Sequence, residues 1–408
     1  MEGRTLRRSK RLSSQNAAIE ESNEAPLKKT KTRKVMKKAV QKNEEQDTAQ
    51  KEVKAVKKVV KRKVSKTQDT KTEKQNTTST TTLNTDHLLL DLGTLVKGTL
   101  VKRPSATIKS PYVSDVKIVD EDGNEKIVLA HSPALDVGGL CSVGTTVLMS
   151  TREGGKTSHA IELLLTDDAT GESKVLVGAH PQLGEKISEK VLQMGLLRDV
   201  INYGPAKLDL SKRSSSPKKK KAKSNIDAEE QKEGTILRRQ VTYGDSRVDY
   251  ELTDYDATEE NKFKTLLEVK NVVCADFQKD IAPEKRNPNH CVIVSEEDGD
   301  KYKRNAIFPW GKIGQTFEGK KVVSERAIKH LRNLGDLTSK NKDIKAVILF
   351  VINRSDCEEM RACHEQCPVF AEEMKSVSSI KGVTVTSFRV RWTEDGKAYF
   401  DGIVPVSL

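Results

Sequence analysis

The sequence predicts an α+β protein with two folded domains behind a disordered, basic N-terminal tail. Three observations lead there. Excess positive charge is confined to the first fifth of the chain, short strand patterns with glycine-containing turns follow it, and β and α patterns then alternate to the C-terminus.

Residues 1–84 hold 23 Lys/Arg against 10 Asp/Glu, a net of +13, whereas 85–408 holds 49 of each. The tail contains no Phe, Trp or Tyr, and so has little apolar surface to offset the entropy of ordering it. Its Ser/Thr/Asn-rich end, Asn76 to Thr85, reads as a flexible spacer, and Lys51 to Lys63 has helical character against an anionic partner. No membrane span is expected, because the longest purely apolar run, Ala346 to Ile352, has the length of a buried strand. Arg and Lys replace the apolar core of a secretory signal at the N-terminus. Cysteines at 141, 274, 291, 357, 363 and 367 suit a reducing compartment; Cys357, Cys363, His364 and Cys367 lie close together but match no common zinc spacing, and read as ordinary thiols with a metal site as the alternative.

The first folded unit is placed at 94–168. Apolar alternation in Tyr112–Val119 and Glu125–Ala130 flanks the turn signal Asp122-Gly123-Asn124, and further strands are expected at Val143–Met149 and His159–Leu165. A small barrel accommodates them best. The second unit, 172–408, opens with a helix over Gly184–Leu197 whose Ile187, Val191, Leu192 and Met194 share a face. It is interrupted by a disordered basic loop at 211–228. Seven cations and no anion lie between Ser211 and Ser224, and the run reads either as a solvated charge run or as a two-part nuclear import signal. Similar clusters at Arg7–Arg11 and Lys28-Lys29 favour import, a nuclear location and an import receptor as partner. Beyond the loop, Gln240–Leu252 and Lys264–Val273 are expected as a strand pair. Ser324–Leu334 is expected as a helix capped by Ser324, Ala346–Ile352 as a buried strand and Cys367–Ser376 as a helix; Val383–Val390 and Lys397–Val404 form a closing pair. The expected result is a mixed sheet with flanking helices.

The candidate chemistry lies on the first of these pairs. Glu268 and Lys270, two apart on a strand, project from one face while Leu267 and Val269 take the other. A hairpin would bring Asp249 alongside them at one edge of the sheet. Two carboxylates and a lysine suit metal-assisted phosphodiester hydrolysis: the carboxylates hold Mg²⁺, the ion activates water, and the lysine stabilises the transition state. On spacing alone, a surface ion pair explains the same residues.

The surroundings bear on that choice. Tyr243-Gly244-Asp245-Ser246-Arg247-Val248-Asp249-Tyr250, then Leu267-Glu268-Val269-Lys270-Asn271-Val272, resemble the central signature of the sugar fermentation stimulation protein A family. Ser324–Arg332 is similar to that family's next motif, and Leu100–Arg103 with Lys109–Val116 to its N-terminal domain, so the resemblance spans roughly 95–408. It implies an OB-fold-like barrel, then a PD-(D/E)XK nuclease-like domain, and DNA binding. Asp249, Glu268 and Lys270 fall on the nuclease triad, with Glu189 as a further acidic metal ligand. In the helix at 324–334, Ile328, Leu331 and Leu334 form an apolar stripe; Arg326, Lys329, His330 and Asn333 lie on another side and are expected to face phosphate. Lys102, Arg103, Lys109 and Lys156 in the barrel, with Tyr112 as a stacking ring and Arg247 beside the triad, complete the expected nucleic-acid contacts. DNA is the expected partner, with RNA as a second candidate.

Two departures stand out. Ser132-Pro133-Ala134-Leu135-Asp136 replaces the family's Cys-Pro-Asn-Thr-Gly run, and an insertion spans Gln278 to Lys321. Three functions remain open at this point: a DNA-binding protein with a nuclease-like domain, an active Mg²⁺-dependent nuclease, and a tail-tethered scaffold with an inactive triad.

Overall fold

The structure, a computed structural model, describes residues 87–133, 137–209, 234–244, 246–254, 264–285 and 289–408. The expectations for the tail, the basic loop and 134–136 lie outside these residues.

Strand β1 (Leu88–Asp91) is followed by β2 (Val96–Lys102), β3 (Val113–Val119), β4 (Glu125–His131), β5 (Thr146–Thr151), β6 (His159–Asp167) and β7 (Lys174–Gly178). The last six form one sheet in the order β4-β3-β2-β5-β6-β7, and Ala130 and His131 of β4 also pair with β6, which closes five strands on themselves. Leu100, Val116, Val147, Met149, Ile161 and Leu164 fill the inside. The curvature requires Gly98, because a Cβ there would lie 2.6 Å from Val116 Cγ1 and 2.9 Å from the Lys117 carbonyl oxygen. Pairing continues into β7, past residue 168, and that strand docks on the rest of the protein through Gly178 N–H to the Asn353 carbonyl at 2.9 Å.

Helix α1 (Leu183–Met194) and the short α2 (Arg198–Ile201) lead to β8 (Ala206–Leu208), β9 (Thr235–Tyr243), β10 (Ser246–Asp254) and β11 (Lys264–Val272). The helix expected to reach Leu197 stops at Met194 because Gly195 turns left-handed, at φ 68°, and caps the carbonyls of Val191 and Leu192. The segment expected as one strand over 240–252 is two: the chain reverses at Gly244, so β9 and β10 form a hairpin and β10 then pairs antiparallel with β11. Strand β12 (Asn305–Phe308) and the hairpin β13 (Gln315–Phe317) and β14 (Lys320–Val322) occupy the 278–321 segment. Helix α3 (Glu325–Lys340), β15 (Ile344–Ile352), β16 (Glu359–Ala362), helix α4 (Pro368–Ser378), β17 (Val383–Trp392), β18 (Lys397–Val404) and β19 (Val406–Ser407) complete the chain. Ser324 caps α3 as expected, its side chain accepting from Ala327 N–H at 3.2 Å.

The principal sheet has eight strands in the order β1-β18-β17-β15-β11-β10-β9-β8. Its centre is parallel, β11 to β15 to β17, and both sides are antiparallel, with a parallel β8–β9 pair at one edge. Helices cover the two faces differently. Leu266, Ile348 and Phe350 pack against Ile328, Leu331 and Leu334 of α3 and Phe370 and Met374 of α4. Leu267, Val347, Leu349 and Val351 pack on the opposite face against Leu183, Ile187 and Val191 of α1. Covering both faces explains why β15 reads as an unbroken apolar run. The fold is therefore a mixed α+β arrangement, mostly sheet with few helices.

Phe350 is wholly buried at the centre of this sheet, whereas Ile127 on the barrel is 56% exposed. Phe350→Ala should cost about 3–5 kcal/mol by leaving a cavity, and Ile127→Ala should change stability by roughly 0.5 kcal/mol or less. Urea denaturation of both variants measures the contrast.

Candidate functional site

Three of the predicted residues meet beside β11. The β10–β11 register sets Tyr250 opposite Leu267, which places Asp249 next to the Glu268–Lys270 stretch. Asp249 Oδ2 accepts the Val269 backbone N–H at 2.8 Å, and Lys270 Nζ donates to Glu268 Oε1 at 2.6 Å. β11 lies between β15 and β10, so the trio sits in the interior of the sheet; the expectation of an edge is corrected. Parallel pairing with β15 puts the Glu268 strand in the middle, where neighbours on both sides fix its backbone.

A local distortion carries Asp249 into place. In β9, Leu237 packs on the α1 face whereas Val241 and Tyr243 pack on the α3 face; in β10, Tyr250 packs with the α1 face and Val248 with the α3 face. Both strands change sides at the facing pair Gln240 and Asp249. Gln240 has φ 53°, a left-handed conformation costing a non-glycine residue on the order of 1 kcal/mol. Its side-chain amide donates to Asp249 Oδ1 at 3.3 Å.

Glu268 and Lys270 are 3% and 8% exposed, so a solvated surface pair does not describe them. His330 of α3 turns inward and its Nδ1 bonds the same Glu268 Oε1 that Lys270 holds. Arg326 Nε donates to His330 Nε2 at 3.2 Å, which makes Nε2 the acceptor and Nδ1–H the donor to the carboxylate. Burial alone would raise the Glu268 carboxyl, but the His330 hydrogen bond and the Lys270 charge hold it below its ordinary value. Asp249 goes the other way. Burial first, then the Glu268 charge, pushes its carboxyl from 3.8 up to about 6, against the pull of the Val269 N–H and Lys270.

The remaining predicted residues are placed as follows. Glu189 forms an ion pair with Arg239, and it is Glu185, one turn earlier on α1, whose charge acts on Asp249. Arg247, Lys102, Lys109 and Lys156 are exposed, and Tyr112 is 47% exposed. Arg103 is half-buried and donates to the carbonyls of Pro111, Cys141 and Pro133. Arg326 and Lys329 are exposed, the latter paired with Glu325 at 2.7 Å. Asn333 bonds Ser246, so the polar side of α3 lies over the β10–β11 site. Gln240 and Glu185 carry no signal in the sequence; His330 does, being four residues after Arg326 on the polar side of an amphipathic helix. Among the described residues no group of three or more His, Cys, Asp or Glu has the arrangement of a metal site, and Cys357, Cys363 and Cys367 are buried free thiols.

Comparison with known proteins supplies the lineage. The family model described as the sugar fermentation stimulation protein RE domain matches residues 321–396. A sugar fermentation stimulation protein homolog of Rhizobium rhizogenes is 26% identical over 256 residues, covering 62% of this chain and 70% of its own. A homolog from Rhizobium meliloti is 23% identical over 244 residues, covering 59% of this chain and 69% of its own. A solved structure of Pyrococcus furiosus SfsA in complex with Ca²⁺ superposes with TM-score 0.50 and 16% identity, covering 79% of this chain and 99% of that one. These organisms are bacteria and an archaeon, cells without a nucleus, so the nuclear location expected from the basic clusters is overturned.

The Asp249 shift has a sign that stability reports. A carboxyl raised from 3.8 to about 6 on folding contributes most below 3.8 and loses that contribution as pH climbs through 6. At pH 7 in chelator, Asp249→Asn should therefore be more stable than wild type by about 3 kcal/mol, with the gap closing towards pH 4. Urea titrations across that range check it; a gap independent of pH would exclude a raised Asp249.

Proposed function

The chain belongs to the sugar fermentation stimulation protein family, and from that premise we propose that it binds DNA through a nuclease-like site centred on Asp249, Glu268 and Lys270. In this reading the closed sheet of β2–β6 is an OB-fold-like barrel and the principal sheet a PD-(D/E)XK-type scaffold. The domains divide near 94–168 and 172–408. One observation carries the reading most: a half-buried carboxylate stands beside a buried one in the middle of a sheet, its carboxyl raised first by burial and then by the other's charge. A structural ion pair would be arranged to relieve that repulsion. A cation-binding site benefits from keeping it, because a bound cation relieves it.

The donor set fits a hard divalent cation. Mg²⁺ keeps several waters and takes one or two carboxylates, so Asp249 and Glu268 suffice as its protein ligands. Glu268 Oε2 makes no hydrogen bond among the described residues, and a cation beside Asp249 would favour its ionised form, the proton leaving to solvent. The Ca²⁺ held by the Pyrococcus protein supports a divalent ion in this lineage. Such an ion, when bound, would acidify water and offset phosphate charge. Lys270 keeps Glu268 ionised and presents an ammonium where a phosphate oxygen would lie, while His330 orients the carboxylate from the helix side. Exposed Arg247, Arg326 and Lys329 are proposed phosphate contacts beside the site, and Lys102, Lys109, Lys156 and Tyr112 on the barrel. Phosphate contacts of this kind confer weak sequence preference.

The active Mg²⁺-dependent nuclease is the second reading, favoured by the ionised, doubly held Glu268 next to a carboxyl that titrates near neutrality. Mg²⁺-dependent cleavage of labelled DNA, lost in Glu268→Ala, supports it; undiminished binding without cleavage leaves the binding reading alone.

Metal binding has its own readout. Mg²⁺ or Mn²⁺ should raise the wild-type melting temperature through linkage, and Glu268→Gln should abolish the rise while keeping the fold. Equal responses of the two proteins would refute a site at Asp249 and Glu268.

The tail contributes separately. Each cation placed on a phosphate releases condensed counterions. Removing residues 1–84, with their net +13, should flatten the salt dependence of DNA affinity in anisotropy titrations. An unchanged slope would assign all phosphate contacts to the folded part.

A further inference from the structure

A second cavity, of about 620 Å³, opens between the barrel and the 278–321 segment. Its volume is that of a small-molecule site. We infer that this cleft binds a nucleotide, its base against Trp310 and its phosphate between Arg103 and Lys312, an inference that rests on the nucleic-acid reading above.

Charge is the first argument. Arg103 and Lys312 line the cleft, and among the described residues no Asp or Glu does. Arg103 satisfies its N–H groups with three backbone carbonyls, which hold the guanidinium in place without neutralising it. Lys312 is exposed and has no ion-pair partner among the described residues. A cation partly withdrawn from water and paired only with dipoles attracts an anion.

Ring chemistry is the second. Trp310 and Phe308 stand in the wall, and the indole N–H donates to the Asn289 carbonyl at 3.0 Å. The ring is thereby fixed before any ligand arrives, so stacking a base on it costs little side-chain entropy. Uncharged sugars and apolar chains would leave the two cations unmatched; a simple phosphate would leave the indole unmatched. A nucleotide answers both.

Position is the third. Asn271 lines the same cleft one residue beyond Lys270, so the cleft begins where the strand of the carboxylate site ends. Asn353 bonds the Asn271 side-chain oxygen, and the Asn271 amide nitrogen makes no hydrogen bond among the described residues. That leaves an oriented donor for an acceptor on a base edge. Phe308, Trp310 and Lys312 all come from the 278–321 segment, so the insertion that departs from the family pattern is what builds the wall.

The chain has two tryptophans, and the other, Trp392, is 6% exposed. The full-length protein is titrated with dAMP, with 2-deoxyribose 5-phosphate and with an oligo-dA strand, reading tryptophan fluorescence and, for variants, calorimetric heat. Expected are quenching by dAMP in wild type, loss of dAMP heat in Trp310→Phe, and about fivefold weaker dAMP binding in Lys312→Gln. Competition of the strand with dAMP identifies a strand terminus as the source, and its absence identifies the free nucleotide. The inference is overturned if the sugar phosphate binds as well as dAMP, or if Trp310→Phe keeps its dAMP affinity. Wild type that binds DNA but gives no dAMP response overturns the cleft alone, whereas wild type that binds no DNA at all overturns the reading on which it rests.

Discussion

Two carboxylates repel each other in the interior of this protein, and much of the C-terminal half serves to hold them there. Separating Asp249 from Glu268 would remove the repulsive part of a cost to which burial contributes more, yet the backbone forbids it: Asp249 is tied to the Val269 N–H and Glu268 to a strand paired on both sides. Lys270 and His330 answer half of the problem by stabilising the Glu268 charge. The other half falls on Asp249, whose hydrogen bonds among the described residues come from a backbone N–H and a side-chain amide.

Helix α3 is set by the same constraint. Ile328, Leu331 and Leu334 bury its apolar side against the sheet, and this fixes the rotation that delivers His330 to Glu268 and Asn333 to Ser246. One burial therefore positions the His330 contact to Glu268. The left-handed Gln240 does the corresponding work on the other side, turning β9 and β10 so that a residue between two apolar positions faces the carboxylate. Strain of this kind persists where surrounding packing over-determines it.

Much of the fold was readable before any coordinates. The strands of the barrel, β15, the closing pair β17–β18 and the Ser324 cap all follow from periodicity and turn chemistry, since each depends on neighbours within a few residues. That Asp249, Glu268 and Lys270 lie together was readable, because strand period two puts Glu268 and Lys270 on one face and a neighbouring strand carries Asp249. The chain reversal at Gly244 was not readable, because Gln240–Leu252 is apolar and polar in a pattern one strand also satisfies. Glu189 was read as a ligand and Glu185 overlooked for a related reason: both lie on the polar side of α1, and only the position of Arg239 decides which carboxylate is neutralised. The basic clusters misled for a different reason. Charge runs report what a segment can bind, not the cell that contains it.

Composition and local pattern by themselves determined that a charged, aromatic-free tail precedes a neutral mixed α+β body, and that Glu268 and Lys270 share a strand face. Those properties are set by residue type and by spacings of two to four, which no distant contact can change. Tertiary structure decided the rest: that the strand carrying Glu268 is central, that His330 points inward, that Asp249 bears the unrelieved charge, and that residues 103, 271 and 310 enclose one cleft. Each of these depends on desolvation and on partners dozens or hundreds of residues away, and burial of a charge is a property of the assembled surroundings.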